Sequence, residues 1–364
     1  MTDIAIEEIN VPQVAGDHDW EPYAMHLAVR NANEAAVLGS AAPYVDPVEV
    51  LPYFQDQGRL RKRLFVARLD GEVVGQALFE RAQDESDSVG WIYGGVIHAA
   101  RHRGVGTALF GHVEGEALST GCDTLQSFVL HGEAAGDTLL ARAGVGTVPL
   151  ADDGVRFMRR RSYELEQVEH WNLLDLPFDR HALTDLYEEV LATAGGDYRV
   201  HTWAGLSPEM WMESLVDLAN GMERDVPRGE LVVSAPGWTA ERYRQEEARE
   251  AEGGRRALTA AVEHVPSGRL VGQTHLSLPS DVARPVQQTV TVVLDEHRGH
   301  RLGLLLKIAN LLQLAEESPQ ATQVVTTNAA ENQHMLAINE RLGFRPVGYT
   351  GAWKKVIVPA RTPA

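Results

Sequence analysis

Apolar positions in this chain recur with two periods that alternate along its length. A two-residue period marks residues 64–69 and 72–79, which flank Asp70-Gly71, a strong hairpin signal. It returns over residues 258–265 and 270–278, on either side of Pro266-Ser267-Gly268. A helical period follows later in each half. Leu302, Leu305, Leu306, Ala309 and Leu312 repeat at helical spacing, with Lys307 and Asn310 on the other side. The β-branched stretch at 289–294 predicts a strand directly before that helix. The first half repeats the order: a strand near 88–98, a glycine-bearing turn, a helix and a strand at 124–130. The second half places its matching last strand at 323–327. Helices are expected at 25–40 and 180–194, and short helices ending at Ala143-Gly144-Val145 and Leu342-Gly343-Phe344, where glycine suits a helix C-cap.

The repetition extends to individual residues. With Arg101 set on Arg298, Val96 falls on Val293, Gly106 on Gly303 and Leu109 on Leu306 without a gap. Further upstream, Val74-Gly75-Gln76 falls on Val271-Gly272-Gln273. A match this long, at domain-sized spacing, is an internal duplication and not a solenoid. Two mixed α/β domains follow, residues 1–170 and 171–364, with Leu174-Asp175-Leu176-Pro177 as connector.

Composition narrows the function. Thirty-three Lys and Arg against 51 Asp and Glu give a net charge of -18, which argues against nucleic acid or an anionic membrane as partner. The single cysteine, Cys122, excludes an internal disulfide and any cysteine-based zinc cluster, and no metal is expected. The opening Met1-Thr2-Asp3-Ile4 has no basic region or apolar run, so no signal peptide and a cytoplasmic location are expected. No stretch has the roughly 20 apolar residues of a membrane span. Oligomeric state is not legible.

The chemistry concentrates in the turns before the two long helices, Arg101-His102-Arg103-Gly104-Val105-Gly106 and Arg298-Gly299-His300-Arg301-Leu302-Gly303. Two readings fit: a connecting loop with solvated charges, or an anion cradle. The first N–H groups of a helix have no internal partner, and the helix dipole there favours negative charge. No Gly-Lys-Ser/Thr follows either turn and the glycine spacing is not that of a dinucleotide fingerprint, so both of those motifs fit poorly.

On these turns the chain resembles the GNAT superfamily of N-acetyltransferases, in tandem. The family motif is Arg or Gln, two residues, Gly, one residue, then Gly or Ala. The first turn satisfies it, and the second departs only where Arg301 replaces a glycine. Asn328 to Phe344, with its closing Gly343-Phe344, resembles the family's later motif. The resemblance implies two domains, each a mostly antiparallel twisted sheet flanked by helices. It implies acetyl-CoA as co-substrate, its pyrophosphate held by Arg101, Arg103, Gly104, Val105, Gly106 and Thr107, or by Arg298, Gly299, His300, Arg301, Leu302 and Gly303. Val96 or Val293 would run beside the pantetheine arm, and Asn328 and Asn332 would hold the cofactor or cap a helix.

The implied reaction is direct acetyl transfer to the primary amine of a small molecule; a non-catalytic acyl-CoA-binding protein, or acetylation of a protein amine, is the alternative. The C-terminal half is the favoured catalytic half. Its candidate residues are His275, Asp295 and Glu296 as bases and Asn339, which stands where many members carry an acidic tyrosine; in the first half that position is read as Leu140. Tyr198, Trp203, Trp211, Trp238 and Tyr243 either line a substrate cleft or pack in the interior.

Overall fold

A computed structural model describes residues 3–40, 42–84, 88–133, 135–225, 229–232 and 237–357. In chain order the first half builds β1 (Ile4–Ile9), α1 (Trp20–Leu38), α2 (Pro47–Gln55), β2 (Leu60–Leu69), β3 (Glu72–Ala82), β4 (Val89–Val96), α3 (Val105–Ser119), β5 (Thr124–His131), the short strands β6 (Thr138–Leu140) and β7 (Thr147–Pro149), α4 (Asp153–Arg160) and β8 (Glu164–Asp175). The second half builds α5 (Arg180–Ala194), β9 (Tyr198–Ala204), α6 (Met212–Asp225), α7 (Ala240–Glu252), β10 (Arg256–His264), β11 (Arg269–Leu278), β12 (Val286–Val293), α8 (Leu302–Glu317), β13 (Gln323–Ala329), α9 (Gln333–Arg341) and β14 (Arg345–Val356). Side-chain caps start several helices. Asp46, Asp152, Asp179, Thr239 and Asn332 each accept from backbone N–H groups that the helix itself leaves unpaired.

Two compact units result. The first comprises Met1–Glu169, Arg228–Ser234 and Gly348–Ala364; the second comprises His170–Pro227 and Ala235–Val347. In the first, β1 to β4 form consecutive antiparallel pairs, β4 meets β5 in parallel, and β5 pairs antiparallel with Tyr349–Val356 of β14. In the second, β9 to β12 form an antiparallel run and β12 meets β13 in parallel. Each unit is thus a mixed α/β, mostly antiparallel sheet flanked by helices, as the repeat predicts. The chain's last strand, from Gly348 onward, belongs to the first unit, a contribution no local sequence signal announces.

One expected element is absent. Residues 138–149 form the hairpin β6–β7 and not a helix ending at Ala143-Gly144-Val145. The first unit's late helix is α4, which begins where Asp152 can cap it and ends at Ser162, φ 64°. Three consecutive β-branched or turn-forming signals around Gly144, Gly146 and Thr147-Val148 favour the hairpin.

Apolar faces hold the units together. In the second, the leucines of α8 pack on Leu258, Ala260, Val262, Leu276 and Leu278 of the sheet. In the first, Tyr23 and Leu27 of α1 pack with Leu51 and Phe54 of α2 on Leu64 of β2. No described helix is long and apolar enough to cross a membrane.

Candidate active site

The first unit's site begins where two parallel strands stop pairing. β4 and β5 are hydrogen-bonded only from Val89–Thr124 to Trp91–Gln126, and beyond that they part into a wedge. A cavity of about 650 Å³ opens there, walled by Gly94, Gly95 and Val96 of β4, Val129 and Leu130 of β5, Asn33 and Val37 of α1, and Phe157 and Met158 of α4. The Arg101–Thr107 turn closes one end. Backbone must come close here: a Cβ on Gly95 would stand 2.5 Å from Asn33 Nδ2, and one on Gly94 2.8 Å from the Gln76 carbonyl.

The turn itself is built as a cradle. Gly104 caps α3 in the left-handed region, φ 89°, and supplies no capping side chain. The first intrahelical bond runs from Ala108 N–H to the Gly104 carbonyl, 3.0 Å, so the N–H groups of Val105, Gly106 and Thr107 precede the helical ladder. Arg101 donates through Nη2 to Asn33 Oδ1 at 2.8 Å and through Nε to the Val96 carbonyl at 3.2 Å. Asp153 lies 3.6 Å from Arg101 and 3.4 Å from His102. Of the residues expected at this cradle, Val96, Arg101, Gly104, Gly106 and Thr107 line the cavity. Arg103 turns instead to Asp70, 3.1 Å, and Val105 is buried beneath the turn.

A residue from the far end of the chain orders the opposite wall. Trp353 of β14 donates its indole N–H to His131 Nε2 at 3.3 Å. An indole nitrogen can only donate, so His131 carries its proton on Nδ1 and gives it to Asp152 Oδ1 at 2.7 Å. Burial pushes the Asp152 carboxyl up, but the His131 bond and the Val155 and Gly154 N–H groups outweigh it and hold the carboxyl below its usual range. Asp152 therefore stays ionised as cap of α4 and wall of the cavity. Trp353→Phe keeps the ring but leaves a buried acceptor on His131 without its donor. We expect the first unit to lose about 1–3 kcal/mol, read as a lower denaturation midpoint; an unchanged midpoint would show that the bond contributes nothing.

The second unit repeats the wedge with different contents. β12 and β13 pair only from Val286–Val324 to Gln288–Thr326. Lys307, which aligns with Phe110 when Arg298 is set on Arg101, is fully buried and donates from Nζ to Gln288 Oε1 and Asn339 Oδ1, both at 2.6 Å. Asn339 in turn donates to Asn328 Oδ1 at 2.6 Å. Burial draws the Lys307 ammonium down to about 7. Asn332 caps α9 through the Met335 N–H.

Both turns need two left-handed residues, and the copies solve this in opposite order. The first has His102 at φ 59° and Gly104 at 89°; the second has Gly299 at 88° and Arg301 at 56°. Each turn thus carries one non-glycine residue where that conformation costs about 1–2 kcal/mol. In the second turn Arg298 pairs with Asp225 at 2.6 Å and Asp295 at 2.7 Å, and Arg301 with Glu189 at 3.4 Å. Leu302 is buried, Val293 half-buried, His300 packs its ring 5.1 Å from Tyr198, and Gly303 approaches Ile338.

The candidates His275, Glu296 and Asn339 have separate surroundings. His275 meets Thr259 at 3.2 Å and Glu250 at 3.2 Å, Glu296 is exposed in a single 3-10 turn, and Asn339 is 1% exposed in the Lys307 network. Among the aromatics, Trp203, Trp211 and Tyr243 pack around Leu215 and Leu218, and Trp238 lies 4.0 Å beneath the Arg242 guanidinium. The structure also supplies what the sequence alignment missed. Ser162-Tyr163 is the first unit's counterpart of Gly343-Phe344, because both Ser162 and Gly343 end a helix in the left-handed region; Met158, and not Leu140, then matches Asn339. The shared spacing before a strand was the available signal, obscured by loss of the glycine.

Comparison with known proteins places this geometry. Residues 24–137 match the acetyltransferase (GNAT) family. No match is found among curated proteins. A tandem GNAT protein from the clavulanic acid biosynthesis pathway superposes with a TM-score of 0.72 at 23% identity, over 98% of this chain and 100% of the other. A GCN5-related N-acetyltransferase from Sphaerobacter thermophilus gives 0.61 at 14% identity, over 98% and 96%.

Proposed function

We propose, for a chain that is a tandem GNAT-fold protein and so has a fold suited to acyl transfer, that its first unit binds acetyl-CoA and acetylates the primary amine of a small molecule. One observation carries the reading: the wedge between β4 and β5 opens into a cavity that ends on the glycine turn. The residues fit the co-substrate. The N–H groups of Val105, Gly106 and Thr107 suit a diphosphate at a helix N-terminus. Arg156 and Arg160 bring positive charge to the same cavity, and Gly94 to Val96 offer a strand edge along which an amide-bearing arm can lie. Bound acetyl-CoA would supply the activated acyl group as a thioester.

The cavity moves the proposed chemistry to the first half, away from His275 and Asn339, whose partners lie elsewhere, and from the exposed Glu296. Calorimetric titration with acetyl-CoA tests this directly. We expect one site per chain; no binding would remove the reading, and two sites would return the second unit to consideration. Met158 on α4, where an acidic side chain is common in the family, favours a second reading in which acetyl-CoA binds without turnover. Release of free thiol with a panel of amines separates the two.

A further inference from the structure

The first unit carries a second concentration of chemistry, on the face of its sheet that packs against α1. Residues of β4 alternate between faces: Gly94 would meet Phe110 of α3, while Gly95 meets Asn33 of α1. Trp91 and Tyr93 share the face of Gly95. Their rings are parallel within 8°, with centroids 6.2 Å apart. Phe128 of β5 joins them across the wedge, 5.2 Å from Trp91 and 6.4 Å from Tyr93. All three remain partly exposed, although Ile92, between two of them, is fully buried on the other face.

Beside these rings lies a buried acid. Glu80 of β3 is the register partner of Trp91 and is 4% exposed. The Tyr53 hydroxyl of α2 donates to it, and Lys62 of β2 holds its ammonium 4.3 Å over the Tyr53 ring while donating to the Asp56 carbonyl. Burial pushes the Glu80 carboxyl up, against the Tyr53 bond and the Lys62 charge. Tyr93 also feels the Glu80 charge, and its phenol is held well above the usual range, chiefly by burial. A partly exposed aromatic surface thus adjoins a buried carboxyl. Cations with an apolar body are attracted to ring faces, and a carboxylate shielded from water is suited to taking a proton.

We infer that Trp91, Tyr93, Phe128 and Glu80 form the acceptor subsite, and that the acceptor is a primary amine carried by a ring that offers an apolar face. The inference rests on the first-unit reading above and names its substrate class. Glu80 takes one proton from the bound ammonium, becoming the neutral acid as the ammonium becomes the free amine. An aromatic ring and the apolar face of a sugar share the chemistry required.

The test uses the full chain and calorimetric titration, with and without coenzyme A, of 2-phenylethylamine, glucosamine, butylamine and 2-phenylethanol. At least one ring-bearing amine should bind ten-fold or more tightly than butylamine, and which of the two does so identifies the ring. Trp91→Ala should erase that preference; Phe128→Leu serves if Trp91→Ala does not fold. Glu80→Gln should keep the ring preference and lose discrimination between 2-phenylethylamine and 2-phenylethanol. Equal affinity for butylamine, no affinity for either ring-bearing amine, or an unaltered preference in the folded variants would overturn the assignment. Acetyl-CoA binding without any ring-bearing amine binding would sink this inference alone and leave the first-unit reading standing; ring-bearing amine binding without acetyl-CoA binding would sink the first-unit reading and, with it, the role of these residues as an acceptor subsite.

Discussion

Gly106→Glu lowers the affinity for acetyl-CoA by at least about 100-fold, close to 3 kcal/mol. A Cβ at this position meets only ordinary contacts, 3.5 Å to Phe157 and 3.7 Å to Val96, so Gly106→Ala is expected to fold and to bind within a few-fold of the parent. Glutamate adds length and a negative charge in the first turn of α3, where the N–H groups and the helix dipole otherwise favour an anion. The side chain competes for the same donors and repels a diphosphate. Gly303→Glu, at the aligned position of the second unit, is the control. It should leave the first-unit affinity unchanged. Titration of the three variants decides the matter: equal affinities for Gly106→Glu and the parent would remove the turn from the site.

Lys307→Met is expected to stabilise the protein at neutral pH and to change how stability depends on pH. The ammonium is fully buried with two amide oxygens and the Phe344 ring, 5.3 Å away, as its named partners, and none of these is a carboxylate. Burial draws its pKa from 10.5 to about 7. Between those values the unfolded chain holds a proton that the folded chain does not, so folded stability rises with pH across that window. Below about pH 7 both states are protonated and the folded state carries the whole penalty, on the order of 5 kcal/mol as an upper bound. Methionine removes the penalty and also the bonds to Gln288 and Asn339, so the net gain at pH 7 is about 2 kcal/mol. Denaturant titrations at pH 7 and pH 9.5 should show the parent gaining stability with pH relative to Lys307→Met. Parallel pH dependences would mean that the folded amine keeps its proton as the unfolded one does, as a hydrated ammonium with an unshifted pKa.

The two turns show how far residue order carries. Their glycine and arginine spacing, and the strand before and helix after each, follow from local propensity: β-branched residues pair, leucines at helical spacing bury one face, and a glycine stops the strand. The duplication is legible for the same reason, because it is a relation between residues and needs no contact to be seen. That Arg301 must take a left-handed conformation is also foreseeable from alignment with Gly104 alone. The exchange of roles between His102 and Gly299 is not, since a motif records which residues are present and not which of them bends the chain.

What lines each wedge depends on tertiary packing. Lys307 reads as the polar face of an amphipathic helix, and its helical spacing is correct. Only the fold turns that position inward to meet Gln288 from β12 and Asn339 from α9, residues distant in the chain. Likewise Leu139 to Val145 has the composition of a helix end, yet it pairs as a hairpin, and the true end at Ser162-Tyr163 appears only when backbone angles are compared. Local pattern therefore specified the central strands and long helix of each half, their order, the repeat and the glycine turn, all governed by neighbours in sequence. Long-range burial decided that Lys307 turns inward in the second unit, that Trp353 orders the wall behind Asp152, and that Glu80 lies beside a partly exposed row of rings. Those outcomes depend on side chains that meet only after the sheet has formed.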